Sequence, residues 1–193
     1  MQAQLTATDI ACRRGDRLLF KGLSLTCGPG DAVQITGTNG VGKSSLIRIL
    51  AGLLRPFSGE IRSSGEMGLV DERLALDQNR PLGKALDFWA QLDRCRDNGR
   101  TLELLQLESL LDVPVRYLST GQKKRAAIAR LLAGNCPIWL LDEPLNGLDT
   151  QAQASIESLV TQHCDGGGIA VVASHQPFAL PGKKLIALEE FAA

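Results

Sequence analysis

What this chain lacks excludes several classes of function before any motif is read. Lysine plus arginine equals aspartate plus glutamate at 21 each, so no net field of either sign draws the molecule to nucleic acid or an anionic membrane surface. No apolar run approaches the roughly 18 residues that read as a membrane span. The opening stretch from Met1 to Thr6 has neither the basic start nor the apolar core of a secretory signal, so any membrane role is expected to run through a partner, without direct insertion. The five cysteines (Cys12, Cys27, Cys95, Cys136 and Cys164) are scattered, odd in number and never spaced C-x-x-C. That disfavours a zinc site or a disulfide framework and points to reduced, packed thiols in the cytosol. There is no repeat and no low-complexity tract. At 193 residues the chain is long enough for one well-buried domain with an inserted subdomain, and too short for two full domains.

What is present is dominated by one run, Gly37-Thr38-Asn39-Gly40-Val41-Gly42-Lys43-Ser44-Ser45, which fits the phosphate-loop pattern G-x-x-x-x-G-K-[ST]. Its glycines let the backbone bend so that several amide N–H groups point into one concave nest. Lys43 adds a cation for the β- and γ-phosphates, and Ser44 a hydroxyl for Mg²⁺. The context agrees: Ala32 to Thr36 reads as a strand, and Leu46, Ile47, Ile49, Leu50, Leu53 and Leu54 repeat at helical spacing. A helix beginning here aims the positive end of its dipole at the phosphates.

Short strand-like runs fill the first part of the chain: Leu5 to Cys12, Arg17 to Thr26, Glu60 to Arg62 and Met67 to Val70. The stretch 72–134 changes character to short helical patterns around Ala85 to Leu92 and Leu102 to Leu111. A further helix is expected over Thr120 to Leu132, closed by Gly134 at a C′ position. The last third returns to alternation, with apolar strands at Ile138 to Leu141 and Ile169 to Ala173 flanking a helix near Gln151 to Gln162. Alternation of strand and helix around a phosphate loop predicts an α/β parallel sheet with its nucleotide at the strand ends.

Two further segments carry chemistry. Ile138-Trp139-Leu140-Leu141-Asp142-Glu143-Pro144 is an apolar strand ending in adjacent acids, an arrangement that burial rarely tolerates without work for the acids. Beside a phosphate loop, Asp142 can hold Mg²⁺ and Glu143 can orient and deprotonate the attacking water. Leu118-Ser119-Thr120-Gly121-Gln122 opens a helix that Ser119 can cap, with Gly121 keeping the first turn unobstructed for an anion.

In that order these motifs resemble the ATP-binding cassette (ABC) ATPases of P-loop NTPase fold, over essentially the full length. Gly37 to Ser45 corresponds to Walker A, Leu118 to Gln122 to the signature segment, and Leu140 to Pro144 to Walker B. Asn146-Gly147-Leu148-Asp149 is similar to the D-loop, and His175 stands where the family's switch histidine follows a strand. The resemblance implies a RecA-like core with an N-terminal antiparallel β subdomain (1–71 and 135–193) and an inserted helical subdomain (72–134). It implies ATP and Mg²⁺ as cofactors. It also implies a head-to-tail dimer in which Ser119, Thr120, Gly121 and Gln122 of one copy face Walker A of the other. Glu143 would then be the general base, and His175 would contact the γ-phosphate.

Three positions depart from the pattern. Thr120 stands where most of the family has glycine. The expected adenine-stacking aromatic is missing near Arg13 to Asp16, leaving Arg14 or Phe20 as substitutes. Asp71-Glu72-Arg73 occupies the place of the Q-loop glutamine, with Gln78 further on and Glu72 as a candidate replacement. His163, without motif support, is expected on a helix surface. Finer features, among them Ile49 to Pro56, Phe88-Trp89, Lys123-Lys124-Arg125 and His175-Gln176-Pro177, resemble the ATPase subunit of the bacterial cytochrome c maturation heme exporter. That implies integral-membrane transporter partners and a peripheral, cytoplasmic position on the inner membrane. The alternatives are a soluble ABC ATPase energising cofactor assembly, such as iron–sulfur loading, and the ATPase of a different small exporter. A DNA-associated ABC ATPase would need a long coiled coil, which roughly 75 mixed residues between the motifs cannot form.

Overall fold

The computed structural model describes residues 2–93, 99–180 and 182–193, so Cys95 lies outside the described residues. Two sheets organise it. β1 (Gln4–Arg14), β2 (Arg17–Cys27) and β4 (Ser58–Ser64) form an antiparallel sheet in the order β2-β1-β4. The second sheet is parallel throughout, in the order β5 (Met67–Val70), β6 (Ile138–Asp142), β7 (Ile169–Ala173), β3 (Ala32–Thr36), β8 (Lys184–Ala187). Every residue of β6 and β7 is buried, as strands covered on both faces require.

The period-two alternation of those strands sorts the core into two layers. Val33, Ile35, Ile138, Leu140, Ile169 and Val171 face α1 (Lys43–Leu50) and the antiparallel sheet, where they meet Leu46, Leu50, Ile10 and Phe20. Trp139, Leu141, Ala170 and Val172 face the opposite way. Against that side pack α4 (Thr120–Ala133) and α5 (Thr150–Asp165), with α2 (Leu82–Leu92) packed on α4. Between β5 and β6 the described regular elements are α2, α3 (Gly99–Leu104), α4 and two 3₁₀ turns.

Some expectations shift by a turn, each for a local reason. The helix after the phosphate loop stops at Leu50 and does not reach Leu53 and Leu54. The chain turns through Gly52 in the left-handed region, Leu53 N–H donates to the Arg48 carbonyl at 2.8 Å, and Leu53 is left 68% exposed. Gly134 ends α4 as its cap in right-handed geometry, and Asn135 takes the left-handed conformation expected of a C′ residue. β8, at the sheet edge, carries no run that sequence periodicity could detect, because Lys184 and Leu185 are exposed. His163 is not a free surface histidine. Its ring stacks on Trp139 (3.8 Å between centroids, 7° between planes), with Nε2 3.3 Å from the Ile169 carbonyl. Cys12, Cys27, Cys136 and Cys164 are free thiols, and burial pushes Cys27 up to about 12 and Cys164 up to about 11.

Two tests follow from this packing. A bulge interrupts β1 between its pairings of Thr8 and Ala11 with β4, and Gly59 faces it with φ +87°. A Cβ there would lie 2.4 Å from the carbonyl oxygens of both Thr8 and Asp9. Gly59→Ala should lower unfolding stability by about 3 kcal/mol in urea titration, and an unchanged midpoint would contradict the close approach. Burial lowers the His163 pKa in the folded protein, so between its folded and unfolded values the unfolded chain binds more protons. Its contribution is therefore complete above the unfolded value and declines as pH falls toward the folded one. His163→Phe, which keeps a ring on Trp139, should flatten the loss of thermal stability on acidification relative to wild type.

Candidate functional site

The site lies at the carboxyl ends of β3, β6 and β7, the edge where open parallel sheets present their loops. The loop from Gly37 leads into α1, whose cap residue Gly42 has φ 120° and provides no side-chain hydrogen bond. A side chain at Gly42 would also meet the Phe20 ring at 3.0 Å. By contrast α4 and α5 are closed by their own caps. Ser119 and Gln122 form a capping box, and Asp149 accepts from Ala152 N–H at 2.8 Å. The first-turn amides of α1 are thus left for an anion.

Lys43 is only 6% exposed. Its Nζ donates to the Gly37 carbonyl at 2.7 Å and the Thr38 carbonyl at 3.3 Å, and lies 3.7 Å from Glu143 Oε1. Glu143 is held in the left-handed region (φ 48°), unusual for a non-glycine residue and a place where strain fixes a carboxylate. Its backbone N–H donates to the Ala173 carbonyl at 2.8 Å, and its Oε2 is 2.9 Å from His175 Nδ1. His175 is half-exposed beside it. Phosphate-loop cation, acid and histidine therefore form one connected chain of contacts.

Asp142 is 2% exposed. Burial raises its carboxyl above the ordinary range, while the Ser44 hydroxyl, by hydrogen bonding to it, pulls the other way. Its Oδ1 is buried without a hydrogen-bond partner among the described residues. A hydroxyl oxygen beside an unsatisfied carboxylate oxygen is a hard, all-oxygen donor set that fits Mg²⁺.

A cavity of about 410 Å³ gathers this chemistry, lined by Asn39, Gly40, Gly42, Lys43, Ser44, Ser45, Glu72, Glu143 and His175, with Leu19 and Asn146. Glu72 is thus brought to the site. Arg14 is not among its lining residues; it lies exposed beside the turn of the β1–β2 hairpin. Phe20 is fully buried beneath Gly42 and offers no face to a base. Thr38 and Val41 belong to the loop without lining the cavity.

The signature segment stands apart from this cavity within one chain. Ser119, Gly121 and Gln122 are absent from its lining, and Thr120 borders only the neighbouring hollow. Thr120 is the first residue of α4, so its side chain is accommodated, and its Cγ2 packs toward Gly147. A Cβ on Gly121 would sit 2.6 Å from the Gly147 carbonyl oxygen, which explains why glycine stands there. Asp149 caps α5 and does not line the cavity.

Sequence reasoning missed two contributors. Glu189, in the 3₁₀ turn Leu188–Phe191, accepts from Thr38 N–H at 2.5 Å and fastens the phosphate loop to the end of the chain. Lys124, on α4, donates to the Asp142 carbonyl at 3.4 Å from a buried position. Glu189 has no motif around it; Lys124 was visible only as part of a basic cluster.

Comparison with known proteins places this geometry. The family model described as ABC transporter matches residues 20–146. The cytochrome c biogenesis ATP-binding export protein CcmA of Novosphingobium aromaticivorans is 56% identical over 187 residues, covering 97% of this chain and 96% of that protein. The protein of the same name from Zymomonas mobilis is 48% identical, covering 99% and 87%. Among solved structures, an ATP-binding cassette described as a post-hydrolysis dimer with ADP and phosphate superposes with TM-score 0.77 at 24% identity (89% and 88% covered). An ATP-binding subunit of an ABC transporter superposes with TM-score 0.80 at 22% identity (89% and 79% covered). At those identities the structural likeness speaks for the fold.

If Lys43 supplies the main phosphate cation, Lys43→Ala should weaken ATP binding at least tenfold by calorimetry, in line with loss of a charge-assisted hydrogen bond of about 1.5–3 kcal/mol. Unchanged affinity would remove Lys43 from the phosphate site.

Proposed function

The chain belongs to the ABC transporter family, as an ATP-binding subunit of the cytochrome c biogenesis export type, and from that premise we propose its working cycle. It is the ATP-hydrolysing motor of an exporter that serves cytochrome c biogenesis, with heme as the cargo and integral-membrane subunits as its seat. It works peripherally on the cytoplasmic face of the inner membrane; no described helix is long and apolar enough to cross a membrane.

The observation that carries the chemistry is the Glu143 carboxylate, held between His175 (2.9 Å) and Lys43 (3.7 Å) on a strained backbone. A carboxylate so fixed serves as general base toward a water at the γ-phosphate, with His175 orienting it. Ser44 and Asp142 would hold Mg²⁺, which when bound would supply charge neutralisation at the phosphate oxygens. The loop 37–45 and the first turn of α1 bind the phosphates of ATP.

The stretch 72–134 is read as the helical subdomain, and the signature residues Ser119 to Gln122 act in trans. Their distance from the cavity in one chain supports a head-to-tail pair, in which α4 of a second copy completes each site and Asp149 stands at the seam.

Glu143→Gln should bind ATP with near-normal affinity while turnover falls about 10²–10³-fold, and it should run as a dimer with ATP on a sizing column. Cells carrying that variant should lack mature c-type cytochromes by heme staining. Retained hydrolysis would remove Glu143 as the base. Normal cytochromes with hydrolysis lost would overturn the export role and leave the ATPase assignment standing.

A further inference from the structure

The loop after β5 and the helix α4 bring opposite charges together beside the metal-binding acids. Asp71, Glu72 and Glu143 line a hollow of about 400 Å³ together with Lys124 and Thr120, and the Lys124 ammonium donates to the Asp142 carbonyl. Three of these acids already have partners. Asp71 pairs with Arg48 at 3.3 Å, Glu143 with Lys43 and His175, and Asp142 with Ser44. Glu72 has no ion pair or hydrogen bond among the described residues.

Lys124 is the mirror case. It is 9% exposed and, among the described residues, has the Asp142 carbonyl as its one hydrogen-bond partner. Burial disfavours its ammonium, and the charges that favour it are, in order, Asp142, Glu72, Asp71 and Glu143. A buried ammonium with one long hydrogen bond persists only where surrounding carboxylates offset its desolvation.

We propose that Lys124 is a positioning residue that offsets Glu72, so that an acid can stand in the same hollow as Glu143 and beside Asp142. The pairing rests on membership of the ABC ATPase family, not on the export role, so it holds whatever the cargo. Removing the cation makes the pocket more negative, attracts a divalent ion more strongly and unbalances the charge around Glu143 on which turnover depends. Removing the acid as well restores the balance.

The test uses Lys124→Gln, Lys124→Met (which keeps the buried stem), Glu72→Gln and the Lys124→Gln, Glu72→Gln double variant of the full chain, with Mn²⁺ as probe. Mn²⁺ affinity of the ADP-loaded protein, read by electron paramagnetic resonance, should rise at least threefold in either Lys124 variant and return to within twofold of wild type in the double. Turnover should fall about tenfold in Lys124→Gln and recover at least threefold in the double; Lys124→Arg should keep both readouts near wild type. Single effects that multiply in the double variant, or Mn²⁺ affinity unmoved by either Lys124 change, would overturn the pairing. If neither Lys124 single variant folds, a double variant that folds supports it, and one that does not overturns it. Loss of the cytochrome phenotype leaves these readouts untouched, so the two readings fail separately.

Discussion

The structure turns on two adjacent carboxylates at the end of a strand with no solvent on either face. Asp142 and Glu143 close β6, whose every residue is buried, and in such a place unpaired charges are not tolerated. The fold answers from three directions. The phosphate loop brings Lys43 and Ser44, the end of β7 brings His175, and α4 brings Lys124. The compensating groups come from three elements far apart in sequence, so the acids act as the point on which separate parts of the chain must agree. A site built this way is fixed by packing of the whole sheet and is hard to perturb at one residue without disturbing its neighbours.

The same constraint explains why two helices nearby end differently. α4 and α5 start with side-chain caps that use Ser119, Gln122 and Asp149, whereas α1 starts from a bare glycine turn. An uncapped first turn is a liability unless something anionic meets it. In the dimer proposed above, Ser119 would turn from capping its own helix toward a phosphate held by another copy. Its capping box leaves the hydroxyl on the surface, where both roles are sterically open.

Much of this was legible in the residues. β6 and β7 follow the expected apolar runs, since strands buried on both faces write themselves as continuous hydrophobic stretches. The phosphate loop, the acid pair and Ser119 as a cap were visible because each depends on near neighbours in sequence. What escaped depends on distant ones. Glu189 meets Thr38 across about 150 positions, β8 is an edge strand with exposed residues, and the left-handed backbone of Glu143 is imposed by its hydrogen bond to β7. His163 was misread for the same reason: its stack on Trp139 is a tertiary contact with no local pattern. Of the residues standing in for the family's missing contacts, Glu72 is on the cavity wall and Arg14 is not.

The placement of side chains argues that the nucleotide is gripped from its phosphate end. Phe20 is buried and Arg14 does not line the cavity, whose polar wall gathers around Lys43, Ser44, Glu143 and His175. That distribution has a mechanical consequence for the proposed cycle. The Lys43 ammonium rests on two loop carbonyls and near Glu143, and an arriving γ-phosphate competes for the same cation. Drawing Lys43 toward phosphate leaves Glu143 with His175 as its remaining close partner, which frees one carboxylate oxygen for water. Binding and preparation of the base then become one event, driven by the phosphate charge rather than by recognition of the base. Because Lys124 sits on the backbone of the same acid pair, the change in charge is felt at the start of the signature helix, the element offered to a second copy.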